Sequence, residues 1–255
     1  DIQPAIAFFS TRVQHSNEDD WKKLRRLIKF LNGTKDDLLT LEADDTHIVK
    51  WHIDAAFAVH DDFRSHTGAT LSLGSGAVMS ASTKQKVNTR SSTEAELIGL
   101  DDYIAQVVWT KNFLEAQGYG VKDTVIYQDN MSTIKLAENG RASAGKRSRH
   151  LNIKYFFITD LIRNKQVSIK YCPTDEMLAD YMSKPLTGRK FHRDRRLLMN
   201  LPNTDSALST GVCRIKDRPS KNQRSSSVYE DGSGSGNNNM VTINLFATGT
   251  TSLPT

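Results

Sequence analysis

From His47 to Phe57 the chain alternates, with Val49, Trp51, Ile53, Ala55 and Phe57 on one side and Lys50, His52 and Asp54 on the other. That is the two-residue period of a strand with one face meant for a core. Two more strand-like runs follow, Thr67 to Leu73 and Ala77 to Ala81, joined at Gly74-Ser75-Gly76. Three consecutive strands so joined predict an antiparallel meander. Downstream, the pattern predicts a long helix over 91–118, a compact apolar strand at Val125-Ile126-Tyr127 and helices over 131–139 and 150–164. A strand over 167–171 and a short last helix over 175–183 complete it. A meander followed by such alternation predicts an α/β fold, a mixed five-stranded sheet flanked by helices.

Four acids stand at the edges of these elements. Asp is a poor strand former, so Asp54 between Ile53 and Ala55 asks for a reason beyond a solvent-facing acid. Glu96 belongs to a capping box, Thr93-x-x-Glu96, but so does Glu94 in Ser91-x-x-Glu94. Leu97, Leu100, Ile104, Val107 and Val108 form the buried stripe of that helix, and Glu96 lies nearer its centre. Glu96 therefore aims toward the sheet, and Glu94 is the better pure cap. Asp129 follows an apolar strand at its C-terminal end, where open α/β sheets place ligands, although Asp129-Asn130 also reads as a turn with helix capping. Asp180 sits on the short last helix, where an acid ordinarily faces solvent.

Strand, helix, strand end, helix: in that order the four can converge. Carboxylates gathered without enough basic partners repel one another and raise their own pKa values, so such a cluster persists mainly where divalent cations neutralise it. A converged quartet fits a two-metal phosphodiester hydrolase, in which one ion activates water for in-line attack and the other stabilises the leaving 3′ oxygen. Asp54 would bridge ions about 3.5–4 Å apart. Two Mg2+ ions are expected because oxygen ligands and retained waters suit that hard cation, with Mn2+ as substitute. Oxygens scattered over separate surfaces, or blocked by neutralising lysines and arginines, would end this reading.

The 255 residues hold one sizeable domain with attachments, or two small ones. Asn17 caps a helix whose start carries Glu18, Asp19 and Asp20; Trp21, Leu24, Ile28 and Leu31 recur along it until Gly33 and need a partner surface. We divide the chain into a helical connector (1–44), the α/β domain (45–197) and a flexible, disordered polar tail (198–255). Gly232 to Gly236 is linker-like, and the apolar run Val241 to Phe246 is isolated. The net charge of +5 is compatible with a polyanionic partner. Cys172 and Cys213 offer neither a disulfide framework nor a cysteine zinc site. No apolar run approaches the roughly twenty residues that span a bilayer, so no membrane is expected. The start at Asp1 without methionine reads as the C-terminal piece of a longer protein.

Several stretches are familiar as an ordered set: Trp51-His-Ile-Asp-Ala-Ala-Phe57, Ser80-Ala-Ser-Thr-Lys-Gln-Lys86, Arg90-Ser-Ser-Thr-Glu-Ala-Glu-Leu97, Tyr127-Gln-Asp-Asn130, Lys146-Arg-Ser-Arg-His150 and Ala179-Asp-Tyr-Met-Ser-Lys184. Over about residues 45 to 190 they closely resemble the ribonuclease H domain of copia-type LTR retrotransposon polyproteins. Phe8 to Arg12 through Trp21 to Thr34 resembles the segment linking such a domain to its reverse transcriptase. The resemblance implies a metal-dependent endonuclease cutting the RNA strand of RNA–DNA hybrids during reverse transcription. Its metal-binding acids match Asp54, Glu96, Asp129 and Asp180. It also implies the upstream reverse transcriptase as partner, and a cytoplasmic virus-like particle or the nucleus as the place of action. Many cellular ribonucleases H carry a mobile His before the last acid; none lies between Cys172 and Asp180, which implies slow turnover or another group in its place. Asp44-Asp45, Asp61-Asp62 and Asp101-Asp102 all lack a Tyr-x-Asp-Asp setting, so the polymerase site is not on this chain.

A hybrid is gripped through phosphates, with 2′-hydroxyls marking the RNA strand. Ser82, Thr83, Lys84, Gln85, Arg90 and Ser91, with Asn130 and His150, are the candidate nucleic-acid contacts. Lys184 to Arg196, holding Lys190, His192, Arg193, Arg195 and Arg196, is a second basic stretch whose default reading is a solvated helix. Two alternatives stay open. One is a non-catalytic ribonuclease H-like structural or nucleic-acid-binding module. The other is a transposase or integrase on the same fold, disfavoured because those usually use three acids in another order and Glu96 lies early.

Overall fold

A central strand with partners of opposite sense on its two sides organises the structure, a computed structural model that describes residues 1–140, 152–202 and 240–242. In chain order the elements are α1 (Gln3–Ser10), α2 (Glu18–Gly33), β1 (Thr40–Ala43), β2 (Ile48–Ala56), β3 (His66–Ser72), β4 (Gly74–Ser75) and β5 (Met79–Lys84). There follow α3 (Ser92–Ala116), β6 (Asp123–Gln128), α4 (Met131–Asn139), α5 (Asn152–Arg163), β7 (Ser168–Tyr171), α6 (Asp180–Ser183), α7 (Gly188–Met199) and β8 (Met240–Thr242). The main sheet has the order β5-β3-β2-β6-β7. The meander β2-β3-β5 is antiparallel, whereas β6 and β7 are added parallel to β2. This is the mixed five-stranded sheet flanked by helices that the sequence predicts.

Alternation along β2 sorts its side chains between two cores. Val49, Trp51 and Ile53 pack with Ala69 and Leu71 against Leu97, Ile98, Leu100, Ile104 and Val107 of α3, and α4 and α5 extend that layer. The opposite face carries Val125, Tyr127, Cys172, Met177 and Ala179, next to a cluster of Ala77, Tyr181, Met182 and Leu198 under α6 and α7. His52 and Asp54 point to this second face, and His52 stacks on Tyr127 at 4.7 Å between ring centres. Phe57, expected to continue the apolar face, lies beyond the end of β2 and is exposed.

The helix expected over 175–183 is split. A 3-10 turn at Thr174–Glu176 ends where Met177 becomes extended (φ −71°, ψ 97°), which sinks its side chain among Val125, Tyr127 and Cys172. Only then does the short α6 form. It lies so close to the sheet that a Cβ on Gly68 would stand 2.5 Å from the Ala179 carbonyl oxygen and 2.6 Å from the Ser183 nitrogen. Gly68 faces Asp54 in the β2–β3 register, so the missing side chain lets Asp180 and Ser183 settle over β2.

Asn17 caps α2 reciprocally with Asp20, as its sequence predicts. The following domain does not cover the stripe at Trp21 and Ile28, which are exposed; α2 sets Phe30 against Phe191 at 6.0 Å, with Arg195 5.1 Å over the Phe30 ring. The basic stretch on α7 is solvated only in part: His192 is exposed, whereas Arg195 is buried beside Asp194 and Leu198. Arg195 pairs with Asp1 at 2.7 Å and Asp37 at 2.8 Å, partners too remote in sequence to be read from α7 itself. β1 pairs with β4 and with β8, where Leu41 faces Val241. The rest of the tail beyond Pro202, Cys213 included, lies outside the described residues, as does His150. No helix among the described residues is long and apolar enough to cross a membrane.

The close approach at Gly68 sets a test. Gly68→Ala should cost about 1–3 kcal/mol in urea unfolding, because backbone atoms must shift to admit the methyl group. Gly33→Ala, with nothing within 4 Å of the added carbon, should instead be neutral or gain up to about 1 kcal/mol from helix propensity.

Candidate metal centre

The parallel pairing of β2 with β6 runs to His52 opposite Tyr127, and two residues further along the chain stand Asp54, still in β2, and Asp129, just past the end of β6. Glu96, in the second turn of α3, reaches the same end of the sheet. One carboxylate oxygen from each of Asp54, Glu96 and Asp129 lies within 4.8 Å of the others. Asp54 has no exposed surface and Glu96 is also buried. The division between Glu94 and Glu96 holds. Glu94 stays at the helix start, where its backbone N–H donates to Ser91 Oγ at 3.2 Å and its carboxylate accepts from the Arg90 N–H at 2.8 Å. Glu96 Oε2 instead accepts from the Ala55 N–H of β2, at 3.0 Å.

Gln128 is a member of this site that sequence reasoning passed over. Fully buried, it donates from Nε2 to Glu96 Oε2 at 3.3 Å and to the Ile53 carbonyl at 3.4 Å, while its Oε1 accepts from the Asn130 N–H at 2.9 Å. The available signal was an amide ending an apolar strand immediately before Asp129. Thr174 Oγ1 donates to Asp129 Oδ2 at 2.9 Å, so the 3-10 turn fixes that carboxylate from the side.

Asp180 joins the group differently. Lys184 forms an ion pair with Asp180 and stands 3.2 Å from Asp54 Oδ2, and Lys190 lies 3.3 Å from both Asp180 and Asp194. Ser183 Oγ donates to Asp54. The expectation of acids without enough basic partners is thus corrected at Asp180 and in part at Asp54. Both lysines lie close in sequence, but which oxygens they meet depends on the packing of α6 and α7. Among the described residues no ion pair reaches Glu96 or Asp129, and two ammonium groups, one shared with Asp194, do not neutralise four carboxylates.

The titration behaviour follows from that imbalance. Burial, reinforced by the charges of Asp54 and Asp129, pushes Glu96 well above the ordinary carboxylate range. Burial also raises Asp54, with Lys184 opposing and Asp180 adding to the shift. For Lys184, burial favours the neutral amine, but Asp54 and Asp180 outweigh it and hold the proton more firmly than usual. An all-oxygen donor set with surplus negative charge fits a hard divalent cation, with Asp54, Glu96 and Asp129 as one set of ligands. Asp180 is not one of those three and is tied to Asp54 through Lys184, which pairs with both.

The nucleic-acid candidates fall in two groups. Gln85 is buried, its amide donating to Thr67 Oγ1 at 3.0 Å and the Ala95 carbonyl at 2.9 Å, so it braces the loop from within. Ser91 and Asn130 cap α3 and α4. Ser82 Oγ donates to the Met182 carbonyl at 2.7 Å, Thr83 meets the Tyr103 hydroxyl at 3.0 Å, and Lys84 pairs with Asp62 at 2.8 Å. Thr83 and Arg90 are exposed.

No family model matches the chain. Among curated proteins it is similar to the retrovirus-related Pol polyprotein from transposon TNT 1-94 of Nicotiana tabacum, 29% identical over 199 residues, 78% of this chain and 15% of that protein. The corresponding polyprotein from transposon RE2 of Arabidopsis thaliana is 29% identical over 198 residues, 77% of this chain and 14% of its own length. The chain therefore spans a small part of the curated relatives it matches. Among solved structures, RNase H1 from Halobacterium salinarum covers 53% of this chain and 94% of its own, with a TM-score of 0.37 and 16% identity. LC11-RNase H1, isolated from compost, covers 54% and 93%, with a TM-score of 0.41 and 10% identity.

Because the folded-state pKa of Glu96 lies above its ordinary value of 4.5, the folded chain holds that proton more tightly than the unfolded chain. Its contribution to metal-free stability is therefore unfavourable at neutral pH and improves as pH falls through the raised value. Glu96→Gln, which keeps an oxygen for Ala55, should stabilise the metal-free protein at pH 7 by about 0.5–2 kcal/mol. Thermal melts along a pH series should show that gain shrinking toward pH 4.5.

Proposed function

We propose that this chain is the ribonuclease H part of a retrotransposon Pol polyprotein, a divalent-metal-dependent endonuclease that cuts the RNA strand of RNA–DNA hybrids. The observation that carries the reading is the meeting of Asp54, Glu96 and Asp129 oxygens within 4.8 Å at one end of a mixed sheet. Similarity to Pol polyproteins supports the setting. Asp54, Glu96, Asp129 and Asp180 would hold Mg2+ or Mn2+, which supply the Lewis acidity and positive charge that phosphodiester hydrolysis needs.

The chain's own residues supply preorganisation. The Ala55 amide and Gln128 orient Glu96, Thr174 orients Asp129, and Ser183 orients Asp54, so the ligands are set before substrate arrives. Thr83, Lys84 and Arg90, on β5 and the approach to α3, supply a polar and basic rim for the hybrid backbone. Gln85, Ser91 and Asn130 shape that rim from behind, as a loop brace and as helix caps. The ion pairing of Lys184 with Asp54 and Asp180 favours one second reading, a hybrid-binding module that does not cut.

Cleavage of end-labelled hybrid, by the chain alone and within its longer polyprotein, separates these readings. With Mg2+ or Mn2+ the protein should cut only the RNA strand and leave duplex DNA intact. Asp54→Asn and Asp129→Asn should each abolish cutting while keeping hybrid binding and a melting temperature equal to or above that of the parent. Hybrid binding without cutting by the parent polyprotein would establish the non-catalytic module, and efficient cutting of duplex DNA would favour a transposase-like enzyme.

A further inference from the structure

We propose that Lys184 is the resident cation of the metal-free centre. It holds Asp54 and Asp180 together until a divalent ion arrives, and it must swing out before that ion can use both carboxylates, so it sets how tightly the centre takes up metal. This rests on the metal-binding reading of the quartet and adds to it the residue that competes for the site.

The geometry carries the proposal. Lys184 Nζ stands 3.2 and 3.3 Å from the two oxygens of Asp54 and also pairs with Asp180, so a single ammonium spans two acids carried by different elements, β2 and α6. The acids are buried and the lysine is partly open to solvent. The side chains of Asp54 and Asp180 are 1% and 4% exposed, against 35% for Lys184. Ser183 holds Asp54, and the whole of α6 is clamped to the sheet at Gly68. Lys184 itself lies just past α6 in extended backbone (φ −128°, ψ 147°), with a flexible four-carbon stem that opens to solvent. The two acids also differ in what remains when it leaves. Asp180 keeps Lys190, 3.3 Å away, whereas Asp54 has no second cationic partner among the described residues. Departure of Lys184 thus frees Asp54, an acid that clusters with Glu96 and Asp129. An ammonium and a divalent cation cannot occupy the same oxygens together.

Competition of this kind lowers apparent affinity in proportion to the fraction of molecules whose site is free. Mn2+ titration of the full chain by calorimetry, without hybrid, reads it directly. Lys184→Met keeps the stem and removes the charge. It should bind Mn2+ roughly tenfold more tightly than the parent. Its metal-free melting temperature should be lower, and its rise on adding Mn2+ larger. Lys184→Arg, which keeps a cation at the site, should remain near the parent. If the methionine variant does not fold, Lys184→Gln takes its place in the same titration. Unchanged or weaker Mn2+ binding in the uncharged variant, with the parent binding and Asp54→Asn failing to bind, would overturn the role of Lys184 and leave the metal site standing. Absence of Mn2+ binding in the parent and in the Lys184 variants alike would overturn both.

Discussion

Negative charge gathered inside protein with fewer cations than carboxylates is the condition to which the elements around the site respond. Burial alone disfavours an ionised carboxylate, and two more within reach make it worse. The fold meets this with directed donors: the Ala55 amide and Gln128 for Glu96, Ser183 for Asp54, Thr174 for Asp129. Those donors come from β2, β6, α6 and the turn before it, which ties the order of the sheet to the electrostatics of the site.

A line of alternating charge continues outward from the pocket. Asp54 and Asp180 share Lys184, Asp180 and Asp194 share Lys190, and Asp194 meets Arg193 at 2.8 Å. One residue along α7, Arg195 holds Asp1 and Asp37 of the connector. The connector and the carboxylate site are therefore fastened to the same helix. Lys184, Lys190 and Arg193 in this line are partly exposed, at 35%, 27% and 34%, so these pairs contribute little net stability and specify position more than they strengthen the fold.

How much of this could be read from the chain depended on whether the governing interaction was local. The alternation of β2, the meander and the separate aims of Glu94 and Glu96 follow from periods of two and 3.6 residues, and all appear in the structure. The split at Met177 was hidden because a pocket formed by Val125, Tyr127 and Cys172 overrides the helical pattern of 175–183. Lys184 could be placed four residues from Asp180, but its contact with Asp54 arises only when Gly68 lets α6 down onto the sheet. Gln85 read as a surface amide because polar neighbours surround it, whereas tertiary partners at Thr67 and Ala95 draw it inside. The Trp21 stripe is regular in sequence, yet periodicity says that a face is apolar and not what will cover it.

The placement of β2 also bears on how the polypeptide emerges during synthesis. Its antiparallel partner β3 follows at once, but Ile48 must wait for Asp123 before its other edge is paired. Until β6 arrives, the strand that becomes the middle of the sheet is an open apolar margin, the kind of edge that recruits strands from other chains. Ribosomal pausing or truncation between β5 and β6 leaves that margin bare, which makes this interval the point of greatest vulnerability to misassembly.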